Sequence, residues 1–259
     1  MPLYGPDTRI TSMTTFTSRA VPRIIDMAIR DIDLRIRIQA IHVLCQLDAA
    51  GVLQDEEEEQ RYHIACLVFD KEPRIRKAIA GLIRSMWEEQ CEEMKSKDES
   101  EPVKNKAKDD DGEDDERSLR IGWKCLASLL IQLSNQLSAS QQDAEPDLDE
   151  TTASQAQRAR EVLSFVSAQA FSMDTHASIA VDALWAEMPL VQEADELLAF
   201  LAADQSVLEK EERPWALTDD EQTFLLKMLV AGGRKMMDAG KHKRVRPGTL
   251  RGETALTTS

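Results

Sequence analysis

Asp31-Ile32-Asp33-Leu34-Arg35-Ile36-Arg37 and Asp70-Lys71-Glu72-Pro73-Arg74-Ile75-Arg76 share the pattern Asp-x-acid-x-Arg-Ile-Arg at an offset of 39 residues. Apolar residues at helical spacing flank both copies: Ile24, Ile25, Met27 and Ala28 before the first, Ile38, Ile41, Leu44 and Cys45 after it. Ala78, Ile79, Leu82, Ile83 and Met86 follow the second. This spacing puts one side of each segment into a core. A fainter third copy starts at Asp174, where Ser178-Ile179-Ala180-Val181-Asp182-Ala183-Leu184 replaces the Arg-Ile-Arg segment and its helix. Paired helices recurring at such a period predict an all-α, HEAT/armadillo-like helical-repeat solenoid with an acidic disordered loop.

The repeated turn carries its own mechanism. A helix pair cannot bury its apolar face alone, so neighbouring pairs must stack. Turn aspartates Asp31 and Asp70, with Arg35 and Arg74 on the following helices, are expected to link adjacent turns through charge-assisted hydrogen bonds. The same acids can cap the helices they precede. No sustained alternation of period two competes with the helical reading, and the chain holds only 10 glycines and 9 prolines.

Working outward, residues 1–92 read as helical hairpins and 93–117 as a disordered acidic loop. That loop includes Asp109-Asp110-Asp111-Gly112-Glu113-Asp114-Asp115-Glu116 and has too few apolar groups to bury. Residues 118–137 read as a helix, 138–157 as a polar loop, 158–237 as further hairpins and 238–259 as a basic, disordered tail. The last long helix has a start signal in Thr218-Asp219-Asp220-Glu221, where Thr218 and Glu221 can cap each other's backbone.

The inventory offers no enzyme. His42, His63, His176 and His242 are scattered, and Cys45, Cys66, Cys91 and Cys125 form no CxxC pair. The cysteines read as small buried hydrophobes in a reducing compartment. Gly232-Gly233 lies in a helical pattern without the completion of a phosphate loop, and no GxSxG elbow occurs. The acidic run lacks the ligand alternation of a calcium loop, so no metal or other cofactor is expected. No apolar run is long enough to span a membrane, and no secretory leader precedes the helices; an intracellular chain without a membrane partner is expected.

Charge points to binding. The chain carries a formal net charge of −15, which disfavours wholesale adhesion to nucleic acid. Between Arg61 and Arg84, however, Arg61, Lys71, Arg74, Arg76, Lys77 and Arg84 face only Asp70 and Glu72. Equivalent turns of a solenoid line one edge, so Arg35, Arg37, Arg74, Arg76 and Lys77 are candidate contacts for DNA phosphates or an acidic peptide. A generic HEAT/armadillo peptide-binding adaptor unrelated to chromatin is the alternative to a chromatin role.

Longer strings add a resemblance. Leu3-Tyr4, Phe16-Thr17-Ser18-Arg19 with Arg23-Ile24, Val181-Asp182-Ala183-Leu184-Trp185, and Leu217-Thr218-Asp219 with Arg234 occur in the order found in the stromal antigen (stromalin) family. The chain resembles a fragment of that HEAT-repeat subunit of cohesin, starting within the stromalin conservative domain. The resemblance implies a nuclear, non-catalytic role in sister-chromatid cohesion and chromosome segregation during the cell cycle, with kleisin and DNA on chromatin as partners. It further implies a surface for short regulatory peptides, on which Arg19 matches a family arginine. Ala20 stands where the family has an aromatic residue.

Overall fold

The computed structural model describes residues 19–51, 53, 58–100, 111–139, 163–167, 175–203 and 213–244. A helix over 19–30, α1, is followed by α2 (Leu34–Ala49) and α3 (Glu58–Ala65), which runs on into a 3-10 turn at Cys66–Phe69. Then come α4 (Pro73–Ser100), α5 (Asp111–Ala139) and a short helical stretch at 163–167. The chain continues through α6 (His176–Leu184), a 3-10 turn at Pro189–Gln192, α7 (Ala194–Ala202) and α8 (Asp219–Arg244). The described residues contain no β-strand.

Local chemistry explains the boundaries. The Asp33 carboxylate accepts from the Arg35 backbone N–H at 2.8 Å and caps α2. Gly51, at φ 75°, closes the same helix in the left-handed region that suits glycine, its N–H donating to the Asp48 carbonyl at 2.8 Å. Asp70 Oδ1 accepts from Glu72 N–H at 2.7 Å just before Pro73, the first residue of α4, where a missing N–H costs nothing. At α8, Glu221 Oε2 accepts from Thr218 N–H at 2.9 Å while Thr218 Oγ1 accepts from Glu221 N–H at 3.4 Å, the reciprocal cap expected there.

Successive contacts α2 to α4, α4 to α6 and α6 to α8 form one row of helices. The helices α3, α5 and α7 form the other, with α5 against both α4 and α8. A continuous apolar core runs between the rows from Val21 and Ile25 to Leu225 and Met228. Phe69 and His176 stack inside it with ring centroids 4.0 Å apart, and His176 Nδ1 lies 2.8 Å from Ser134 Oγ. The array of helix pairs expected from the repeat is therefore present.

Two boundaries differ from the sequence reading. The acidic loop assigned to 93–117 is helical at both ends, since α4 continues to Ser100 and α5 begins at Asp111. Pairs four residues apart support the extensions: Lys97 with Glu93 at 2.7 Å and Arg120 with Glu116 at 2.5 Å. Likewise α8 runs through Lys241 to Arg244, so the tail assigned from 238 starts as helix. Asp109, Asp110, the polar stretch 140–157 and residues 245–259 lie outside the described residues.

Candidate interaction edge at the helix turns

The two arginines of each repeated turn go to opposite places. Arg37 is 8% exposed and Arg76 is 7% exposed, whereas Arg35, Arg74 and Lys77 face solvent. Helical spacing is the cause. Arg37 shares a face with Ala40, Ile41 and Leu44, and Arg76 with Ile79, Ala80 and Ile83, all buried. Arg35 instead shares its face with the exposed Gln39, His42 and Gln46.

The buried pair makes the rungs. Arg37 Nε donates to the Ala28 carbonyl at 3.0 Å, near the end of α1, and Nη2 donates to Asp70 Oδ2 of the next turn at 2.8 Å. In the next repeat, Arg76 Nη1 donates to the carbonyls of Asp70 at 2.9 Å and Lys71 at 3.1 Å, and Nη2 reaches Asp182 Oδ2 at 3.4 Å. Each guanidinium thus satisfies orphan carbonyls behind the preceding helix of its own repeat and a carboxylate of the following one. The expected ladder exists, but it is built from Arg37 and Arg76 rather than Arg35 and Arg74. Arg74 pairs at the surface with Glu72 of its own turn at 2.9 Å. That guanidinium's hydrogen bond holds the Glu72 carboxyl below its ordinary range.

The third rung falls on Asp182, in the middle of α6; Asp174, where the third copy starts in the sequence, lies outside the described residues. Lys235 of α8 reaches the same carboxylate, Nζ to Oδ1 at 2.5 Å, and lies 5.3 Å from the Trp185 ring centroid. The Lys235 hydrogen bond, opposed by partial burial and helped by Arg76, lowers the Asp182 pKa from its ordinary 3.8.

A second buried network escaped the sequence reading. Arg61, on α3, lies 2.6 Å from Asp48 Oδ1 through Nε and donates twice to Glu89, at 2.6 and 2.8 Å, joining α2, α3 and α4. Burial opposes its charge, but the bonds from Glu89 and Asp48 carry its pKa above the usual arginine value. The spacing Asp48–Leu44–Ile41 on a buried face was the available signal for Asp48. Nothing in the local sequence around Arg61 shows which acids it meets.

What remains outside is a row of cations. Arg35 and Arg74 occupy equivalent positions on stacked neighbours α2 and α4, and Lys77 lies one turn along α4 from Arg74. Side-by-side helices lie about 8–10 Å apart, a spacing on the scale of neighbouring phosphates. Asp31 and Asp33, at the first of these turns, accept from the backbone N–H groups of Asp33 and Arg35. Among the described residues neither Arg35 nor Lys77 meets a carboxylate through its side chain. Arg37 and Arg76, by contrast, are consumed inside the fold and are withdrawn as phosphate contacts. Arg19 is exposed at the start of α1 beside the half-buried Ala20.

A family model described as Sister chromatid cohesion protein PDS5 protein matches residues 8–109 of the chain. No curated protein matches, and no solved structure matches. The matched segment includes α1 to α4 and both Arg-Ile-Arg copies. It supports a cohesion-associated helical-repeat resemblance over these residues, but not the stromal antigen family in particular.

Proposed function

We propose that this chain is a non-catalytic accessory of cohesin in sister-chromatid cohesion, a nuclear scaffold of stacked helix pairs that binds the kleisin subunit and DNA. The observation that carries the reading is the match to a sister chromatid cohesion family over the segment that contains the repeated turns and their buried rungs. The fold suits it: side chains that could have been reactive are tied into packing, as with Ser134 against a stacked His176. Among the described residues no helix is long and apolar enough to cross a membrane.

In this reading Arg35, Arg74 and Lys77 contact DNA phosphates, with Arg74 leaving Glu72 to do so, and Arg19 offers a separate cation to short regulatory peptides. Titration of duplex DNA at several salt concentrations tests it. Neutralising one phosphate contact lowers the salt slope by about 0.9, so R35A/R74A/K77A is expected to flatten it by about 2–3. All three sites are exposed, and the fold should persist. An unchanged slope would remove DNA from the proposal; loss of slope on a folded variant supports it.

A further inference from the structure

We propose that the outer face of α8 docks an amphipathic helix of a partner protein whose apolar stripe is bordered by acidic side chains one heptad apart. The buried side of α8 carries Glu221, Leu225, Met228 and Gly232, packed toward α5, α6 and α7. Its opposite side should be polar if water covered it. Instead Leu226 is 50%, Val230 53% and Met237 63% exposed. With Gly233 these positions follow the i, i+4, i+7, i+11 spacing of a helix seam.

Gly233 sharpens the fit. A Cβ built there would meet no atom within 4 Å, so the stripe has open space at its centre where a partner backbone can come close. Three half-exposed apolar side chains in one row on a helix face form a stripe that a partner helix can cover.

Charge selects the occupant. Lys227 and Arg234, both exposed and seven residues apart, border the stripe on one side, and among the described residues neither meets a carboxylate. A helix with glutamate or aspartate at the matching heptad positions would bury its leucines on Leu226, Val230 and Met237 while pairing both cations. A second copy of this chain fits less well. Antiparallel pairing of two α8 helices about the midpoint of Val230 and Ala231 sets each Lys227 against the other copy's Arg234, like charge on like charge.

The test uses the full chain and two labelled synthetic three-heptad peptides with identical leucine stripes, one flanked by glutamate and one by lysine, followed by fluorescence anisotropy. The glutamate peptide is expected to bind about fivefold to tenfold more tightly, from two exposed ion pairs. K227E/R234E should invert that preference with the apolar stripe intact, and V230D should abolish binding with the helical circular-dichroism signal retained. Absence of saturable binding, equal affinity for both peptides, or indifference to V230D would overturn the proposal. A dimer in sedimentation equilibrium that V230D dissolves would overturn it in favour of a second copy.

Discussion

At Arg37 and Asp70 the two residues of one rung, 33 positions apart in sequence, are 9% and 3% exposed through their side chains and lie 2.8 Å apart. Removing one partner strands the other charge in the core, which costs about 3–5 kcal/mol, whereas replacing both with apolar side chains costs far less. D70A should therefore lower the urea midpoint strongly and R37M/D70L by less, the double variant still losing the Asp70 cap on Glu72 N–H. R35A, two residues away on the exposed face, should shift stability by no more than about 0.5 kcal/mol. Equal losses for R37A and R35A would show that the buried rung has no special weight. At this scale half of the answer was written in the sequence. The repeat placed an Arg-Ile-Arg at each turn, and its spacing relative to Ile41, Leu44, Ile79 and Ile83 was enough to tell the inward arginine from the outward one. Reading the turn as a unit, without that phase, assigned the rung to the wrong member of each pair.

Helices report on their ends and their cross-ties. Loss of the Thr218 hydroxyl in T218A should cost about 1 kcal/mol, read from thermal or urea unfolding, because Glu221 N–H then lacks its side-chain acceptor. Asp182 ties α4, α6 and α8 together through Arg76 and Lys235. Its carboxyl is depressed in the folded state, so the ionised form is favoured there. The stabilisation is complete above the ordinary pKa of 3.8 and is lost as pH falls through the lower folded value. The urea-midpoint gap between the native chain and D182N should accordingly shrink below about pH 4. A gap that stays constant into acid would remove the ion pair as its cause. Helices as elements were legible from apolar spacing and caps. Their true lengths were not, because α4 and α5 extend into charged sequence with little apolar periodicity, where pairs such as Glu93 with Lys97 support the helix. The third rung was equally hidden, since Asp182 lies within a helix and meets Arg76 106 positions away.

As a whole the molecule separates its charges by depth. Arg37, Arg61 and Arg76 are spent holding neighbouring helices together, and Arg35, Arg74 and Lys77 remain on an outer edge. The stacked architecture followed from the 39-residue offset because repeat packing depends on local, regularly spaced faces. Partners are less legible, since a short row of exposed cations suits several anionic surfaces. The proposed choice of cohesin rests on the match of residues 8–109 to a sister chromatid cohesion family model. The most direct measurement is co-elution of the purified full chain with the purified kleisin subunit on a sizing column at moderate salt. The account predicts a stable joint peak that survives R35A/R74A/K77A, the residues the proposal assigns to DNA, and is lost when D70A breaks the stacked turns. Separate elution of the two proteins at micromolar concentration would contradict it.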